Sequence, residues 1–152
     1  MEINLSEYRG CVLPADLYYD LDYIWVRPEE NGEWTIGLTD PSQSMAGKVQ
    51  YVWIKEPGTR RERKKPMARI ESGKWAGGIP APCNGVIVAR NENVLANPNL
   101  INIDPYNDAW LLRFRADDPV SGLALLTTGA PAQRALQQWI DRYDVQCMRC
   151  QQ

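Results

Sequence analysis

The stretch MARIESGKWAGGIPAPCNG, residues 67–85, alternates apolar and polar side chains and then reaches a glycine-rich turn. The alternation over Met67–Ser72 is typical of a half-buried β-strand, because successive side chains of a strand point to opposite faces. Gly73 and Lys74 follow, and glycine tolerates the positive φ that two-residue hairpin turns require. We therefore predict a β-hairpin with Lys74 exposed at its tip.

The residues around Lys74 do not form a phosphate-binding loop. That motif requires Gly-x-x-x-x-Gly-Lys-Ser/Thr in front of a helix. Here Ala68 stands at the first glycine position and Trp75 at the hydroxyl position, and Gly77-Gly78 disfavours a helix. From the residues alone, Lys74 is either a solvated turn lysine or a lysine displayed to a modifying enzyme.

Five further segments alternate with the same period and predict short strands. They are DYIWVR (22–27), EWTIGL (33–38), KVQYVWI (48–54), GVIVAR (85–90) and WLLRFR (110–115). In KVQYVWI we expect Val49, Tyr51 and Trp53 to share one face. Short strands separated by turn signals predict a mainly β fold of the sandwich or barrel type.

One longer helix is predicted near the C-terminus, because apolar residues recur there at spacings of three and four. They are Ala132, Ala135, Leu136, Trp139, Ile140 and Tyr143. Pro131 fits the first turn, where its missing N–H would be unpaired anyway. Ser42–Gly47 and Glu92–Asn97 are predicted to be short helical turns.

Composition limits the class of protein. The chain has 152 residues, of which 44% are hydrophobic and 24% charged, as in one compact domain that can bury a core. A formal net charge of -2 gives no general reason to expect nucleic-acid binding. The apolar runs are too short to cross a membrane, and no signal-peptide core begins the chain. We expect a cytoplasmic protein that binds neither nucleic acid nor membrane.

The chain has no histidine, which excludes serine–histidine and cysteine–histidine catalysis. Its four cysteines, Cys11, Cys83, Cys147 and Cys150, are expected to be reduced thiols in the cytoplasm. Cys147 and Cys150 form a C-x-x-C, but it follows a helix instead of beginning one, which disfavours a redox centre. A zinc site would need all four cysteines, so no metal site is expected. Cys83 is predicted to be a small buried filler.

The segment KEPGTRRERKKP, residues 55–66, carries six cations and two acids. It is either a solvated loop or a docking patch for an acidic partner surface.

The hairpin IESGKWAGGIPAPCNG resembles the lipoylation hairpin of the glycine cleavage H-protein, in which Glu-Ser-x-Lys precedes Ala-Pro-x-x-Gly. Glu71 lies three residues before the lysine and Gly85 eleven after it, as in that family. The similarity covers Leu13–Asp118 and includes IGLTD (36–40) and NIDPYNDAWLL (102–112). Biotin carriers resemble this fold too, but they set the lysine between methionines.

The resemblance implies a mainly β, lipoyl-type barrel-sandwich hybrid with a C-terminal helix and short helical turns. We expect one domain over 1–152, with the barrel at about 13–118 and a helical extension at about 119–152. The resemblance also implies that Lys74 carries lipoate, attached by a lipoate–protein ligase that recognises Glu71 and Gly85. Such a chain is not an enzyme but a cofactor-carrying substrate of its partner enzymes.

The turn departs from the family pattern at four positions. Gly73 replaces a branched apolar residue, Trp75 replaces a small one, and Gly77-Gly78 replaces a Ser-Asp pair. Trp75 is expected either to pack against the lipoyl chain or to cover the hairpin.

The Glu-Ser-Gly-Lys-Trp hairpin, the segment CVLPADLYYD (11–20) and the cysteine-containing tail are similar to the lipoate-binding proteins of bacterial sulfur oxidation. That branch of the family works with a heterodisulfide-reductase-like complex, so the arm is expected to shuttle sulfur intermediates. Two alternatives stay open. One is an H-protein that carries the aminomethyl group between glycine decarboxylase and aminomethyltransferase, and the other is an unmodified H-like interaction scaffold.

Overall fold

The computed structural model describes residues 4–147. Within this range the strands are β1 Glu7–Tyr8, β2 Cys11–Val12, β3 Tyr18–Asp20, β4 Ile24–Pro28, β5 Trp34–Leu38, β6 Val49–Ile54, β7 Arg60–Arg61, β8 Pro66–Ser72, β9 Ala76–Pro80, β10 Gly85–Arg90, β11 Leu112–Ala116 and β12 Thr127–Thr128. The helices are α1 Asp40–Ala46, α2 Glu92–Ala96, α3 Leu100–Ile103, α4 Pro119–Ala124 and α5 Gly129–Arg142.

The strands form two main antiparallel sheets. The larger has seven strands in the order β12-β3-β4-β5-β11-β10-β7, and the smaller has three in the order β6-β8-β9. A third, two-stranded sheet joins β1 to β2. The mainly β fold with a C-terminal helix is as predicted, and a barrel-sandwich hybrid fits it.

Two apolar cores lie on opposite faces of the larger sheet. Side chains of both main sheets, including Ile36 and Ile70, form the first core. The second core lies under α5, which contributes Ala132, Leu136 and Ile140. Strand β5 is buried along its whole length because it lies between β4 and β11, with a core on each face. The helical stripe predicted from the spacing therefore packs as expected, except that Tyr143 lies at the C-cap and is exposed.

In strand β6 the buried and exposed side chains differ from the prediction. In β6, Val49 is 2% exposed, whereas Tyr51 is 57% and Trp53 is 51% exposed. The pairing with β8 shifts its register between Val49 and Tyr51, as in a β-bulge. A bulge inserts one residue and reverses the side-chain faces beyond it. The expectation that Val49, Tyr51 and Trp53 share a face is therefore wrong.

The two short helical turns are confirmed as α1 and α2. Thr39 caps α1 by accepting a hydrogen bond from the backbone N–H of Ser42 at 3.2 Å. Helix α3, with four residues, has no counterpart among the predicted elements, whereas α4 lies at the start of the predicted helical extension. No helix among residues 4–147 combines the length and apolar character needed to cross a bilayer.

A disulfide joins Cys11 to Cys147, whose Cα atoms are 4.9 Å apart. The backbone N–H of Cys147 donates to the carbonyl of Arg9 at 3.1 Å, which brings the tail beside the β1–β2 turn. The expectation of four reduced thiols is therefore wrong. The two cysteines are 136 residues apart, so no local pattern could pair them. Cys150, the second cysteine of the C-x-x-C, lies outside the described residues.

We predict that this disulfide contributes measurably to stability. In the loop-entropy relation, closing a loop across a separation of 136 residues stabilises the fold by about 5 kcal/mol, and native disulfides contribute about 2–5 kcal/mol. The double variant Cys11→Ser/Cys147→Ser should therefore lose about 2–5 kcal/mol of unfolding free energy, measured by urea titration.

A reductant should lower the stability of the wild type to that of the double variant and should not affect the variant. Peptide mapping without a crosslinked Cys11–Cys147 peptide would contradict the assignment.

Candidate functional site

Lys74 lies at the exposed tip of the β8–β9 hairpin, as predicted. The turn has three residues, Gly73 to Trp75, and it closes with a hydrogen bond from Ser72 N–H to the Trp75 carbonyl at 2.8 Å. Gly73 does not have a positive φ. The prediction of a two-residue turn that needs glycine is therefore wrong, since the Ser72 side chain organises the turn instead.

The Ser72 hydroxyl connects the hairpin tip to helix α1. It accepts the backbone N–H of Trp75 at 3.0 Å and that of Lys74 at 3.3 Å. It donates its own proton to the carbonyl of Ala46, the last residue of α1. The tip is thus fixed to the body of the protein directly before and after the lysine.

The Lys74 side chain lies across Gly47, the C-cap of α1. A Cβ placed on Gly47 would lie 2.7 Å from Cε of Lys74, so a side chain at position 47 would push the flexible end of the lysine aside. Asn102 supports Gly47 from the other side: its amide donates to the Gly47 carbonyl at 2.7 Å and accepts Val49 N–H at 2.8 Å. The lysine therefore rests on a hydrogen-bonded platform.

A cleft of about 290 Å³ adjoins this platform. Gln43, Asn102 and Gln146 line it together with Gly47. The amides of Gln43 and Asn102 hydrogen-bond to each other, and Asn102 also bonds to the backbone of Gly47, so they stiffen the wall of the cleft. No sequence pattern predicts this cleft, because its walls come from distant parts of the chain.

Trp75 folds back over the hairpin. A Cβ on Gly77 would lie 2.6 Å from the Trp75 ring, which therefore covers that glycine. The ring also packs edge-on against Tyr23, with the centroids 5.8 Å apart. Tyr23 adopts a φ of 122°, a conformation that non-glycine residues rarely adopt. These contacts favour the second of the two expectations for Trp75, that it covers the hairpin.

The two residues predicted to serve ligase recognition lie in different environments. Glu71 is on β8 near the tip and forms an ion pair with Arg69 at 3.1 Å. Gly85 begins β10 and is buried, and a Cβ there would lie 2.6 Å from the ring of Phe114. Packing alone therefore requires glycine at position 85, and the recognition role of both residues stays a prediction.

The family model for the glycine cleavage H-protein matches residues 17–138. Glycine cleavage system H protein 3 of Aquifex aeolicus is 44% identical over 148 residues, with 95% of this chain and 92% of that protein covered. A probable glycine cleavage system H protein 2 of Sulfurisphaera tokodaii is 39% identical, with 95% and 99% covered. The chain belongs to the glycine cleavage H-protein family.

A solved H-protein structure, that of a glycine cleavage system H protein from Mycobacterium marinum, has the same fold. It superposes with a TM-score of 0.70 at 23% identity and covers 82% of this chain and 98% of its own. The names of these relatives refer to glycine cleavage and none refers to sulfur oxidation.

In this H-protein family member, some cations of the 55–66 segment are neutralised within the chain. Arg60 forms an ion pair with Asp117 at 2.7 Å, and Lys64 forms one with Asp22 at 2.7 Å. Lys55 has no ion pair with any described residue. The segment is thus partly a solvated, internally paired loop and partly a surface with unpaired positive charge.

Cys83 is buried and free, as predicted for a filler. It adjoins Asn84 and Gly122 in a shallow pocket. Burial raises the pKa of its thiol from 9.0 to about 11, and the nearby carboxylate of Asp117 acts in the same direction. The thiol is therefore protonated at neutral pH and is a poor nucleophile.

We predict different losses of stability for the two glycines beside Lys74. Gly47 has φ 78° and ψ -161°, a region essentially restricted to glycine, so Gly47→Ala should cost about 1–3 kcal/mol of unfolding free energy. A Cβ on Gly73 would meet no atom within 4 Å, so Gly73→Ala should stay within about 0.5 kcal/mol of the wild type. Urea unfolding measures both, and equal losses would contradict the backbone conformation assigned to Gly47.

We also predict slow alkylation of Cys83. At pH 8 a thiol of pKa about 11 is roughly a hundredfold less ionised than one with the ordinary value of 9.0, so iodoacetamide should label it about a hundredfold more slowly in the folded protein than after denaturation. Because the folded pKa is raised, this group favours folding below about pH 9, and that contribution is lost as the pH rises through about 11. Mass spectrometry of the Cys83 peptide measures the rate, and equal rates in both states would contradict the burial.

Proposed function

We propose that this chain is a lipoyl carrier in which lipoate is joined by an amide bond to Nζ of Lys74. The observation that carries the proposal is the position of this lysine at a fixed hairpin tip in a member of the H-protein family. Proteins of that family carry a lipoate cofactor. The chain is then a substrate of its partner enzymes and not itself an enzyme.

The surroundings of Lys74 fit such a modification. Amide formation removes the positive charge of the lysine. Lys74 forms no ion pair with any described residue, so neutralising it leaves no carboxylate without its partner. Ser72 and Gly47 hold the backbone and the aliphatic part of the side chain, while the amine faces solvent.

In the attachment step, the amine of Lys74 would attack the carbonyl carbon of lipoate that the ligase has joined to AMP, with release of pyrophosphate from ATP. A C–N bond would form, AMP would leave with the electrons of its bond to carbon, and the amine would release a proton to solvent. Once bound, a lipoyl group supplies a dithiolane that accepts two electrons and holds cargo on sulfur. The chain itself provides the rigid tip and the surfaces that partners bind.

The cargo that the comparisons support best is the aminomethyl group of glycine. Several relatives that match over more than 90% of this chain are named as glycine cleavage H proteins. In this assignment the carrier passes the group from glycine decarboxylase to aminomethyltransferase.

A second candidate is the transport of sulfur intermediates with a heterodisulfide-reductase-like complex. Aquifex aeolicus has H proteins numbered 2, 3 and 5 that are 43%, 44% and 36% identical to this chain, so one organism holds several carriers of this family. Trp75 and Gly77 also form a packed pair where the H-protein pattern has smaller or polar residues. Both features favour a carrier that binds different partner enzymes.

The attachment is tested by intact mass. The chain produced in its native host should carry the mass of one lipoyl group, and Lys74→Arg should abolish it while keeping the charge and the melting temperature. Lys48→Arg, which alters an exposed lysine near the same platform, is the matched control and should keep the added mass. Wild-type chain without added mass would support the unmodified scaffold instead.

The cargo is tested by reconstitution. The lipoylated chain should support glycine-dependent CO₂ release with glycine decarboxylase, and the Lys74→Arg variant should lower that rate at least a hundredfold. If the lipoylated chain fails there but restores turnover of a heterodisulfide-reductase-like complex, the sulfur assignment replaces the glycine assignment.

A further inference from the structure

The outer face of the β6-β8-β9 sheet carries two exposed aromatic rings. Tyr51 and Trp53 are 57% and 51% exposed, and their rings stack with centroids 5.9 Å apart at an interplanar angle of 21°. Single exposed apolar residues are common on protein surfaces, whereas contiguous apolar patches mark interaction sites. Tryptophan and tyrosine are also the residues that most often dominate binding energy at interfaces.

A groove of about 450 Å³ runs beside the Trp53 ring. In the strand register Trp53 lies opposite Arg69, and Arg69 lies opposite Gly78 on the next strand. Pro66 closes one end, and a Cβ placed on Gly78 would lie 3.3 Å from Cβ of Pro66. Glycine inside a strand weakens it and often marks the close approach of another molecule. Here the missing side chain keeps the groove open.

The groove lies on the same two strands that present Lys74. Gly78 is four residues beyond the lysine, which corresponds to about 13 Å at about 3.3 Å per residue. A typical interface covers about 800 Å² on each partner, equivalent to a disc of roughly 16 Å radius. A protein centred on the hairpin tip therefore covers the groove as well.

The step that each partner enzyme catalyses decides how closely it must bind to the hairpin. Enzymes that act on the far end of a long arm can remain at a distance from the hairpin. The enzyme that attaches the arm has only the lysine side chain to reach, so it must bind directly at the tip. The groove therefore fits the attaching enzyme better than the enzymes that use the finished arm.

Charge indicates the chemistry of that partner. Residues 55–69 contain seven cations and two acids, although the whole chain has a formal net charge of -2. Arg60, Lys64 and Arg69 are paired with Asp117, Asp22 and Glu71. Lys55 lines the groove and has no ion pair with a described residue. A partner that binds here gains from carboxylates placed opposite Lys55.

We infer that the outer face of β6-β8-β9 is the docking surface for the enzyme that attaches lipoate to Lys74. The partner inserts an apolar side chain into the groove between Trp53 and Gly78 and presents carboxylates to Lys55. The inference rests on the proposed lipoylation of Lys74 and specifies where the modifying enzyme binds.

The test measures steady-state lipoylation by intact mass, with lipoate, ATP, Mg²⁺ and the lipoate–protein ligase of the native host. Trp53→Ala should raise KM for the chain about tenfold to thirtyfold with little change in kcat, as expected for an interface hot spot. Lys55→Glu should raise KM too, and its effect should shrink as salt rises. Tyr143→Ala removes a ring of similar exposure, 52%, from the C-cap of helix α5 and should change KM less than twofold. Melting temperatures confirm that each variant is folded.

Three results would overturn the inference, and they are distinguishable. Lipoylated wild type with an unchanged KM for Trp53→Ala rejects the docking surface and leaves the proposed function intact. Wild type that gains no mass with the ligase of its host rejects both. A wild-type dimer that Trp53→Ala converts to a monomer in sedimentation assigns the face to a second copy of the chain.

Discussion

The Ser72 hydroxyl is the contact on which the geometry of the site depends. It accepts the backbone N–H groups of Lys74 and Trp75 and donates to the carbonyl that ends α1. One side chain thereby determines the shape of the hairpin turn and its position on the body. Asn102 completes the arrangement by holding Gly47, on which the lysine rests. A carrier needs a flexible arm on a rigid base, and these few hydrogen bonds supply the base.

Much of the sheet could be predicted because half-buried strands alternate with a period of two. The exceptions occur where a tertiary contact interrupts the period. In β6 the bulge after Val49 moves Tyr51 and Trp53 to the solvent face, and no local pattern marks it. The Cys11–Cys147 disulfide joins residues 136 positions apart, so it depends on the path of the whole chain. Helix α3 is shorter than the window in which a helical period becomes visible.

The site was predictable only in part, because family resemblance identifies a position and packing decides what the residue does there. The residues next to Lys74 do not distinguish a solvated turn lysine from a modified one. The similarity of the whole segment to the H-protein family makes it the candidate attachment point. The same similarity suggested recognition for Gly85, yet the ring of Phe114 is a sufficient reason for glycine there. Gly47 and the cleft beside it belong to no motif, since α1, α3 and the C-terminal tail meet there only after folding.

The adjacent glycines Gly77 and Gly78 show how the departures at the hairpin act together. Successive residues of a strand face opposite sides, so each glycine serves a different surface. Gly77, opposite the buried Ile70, makes room for the Trp75 ring, while Gly78, opposite the exposed Arg69, keeps the outer groove open. A Ser-Asp pair here would displace the tryptophan on one side and put a side chain with negative charge into the groove on the other. The two glycines therefore shape both surfaces around the lysine, the inner one that holds the Trp75 ring and the outer one that carries the groove.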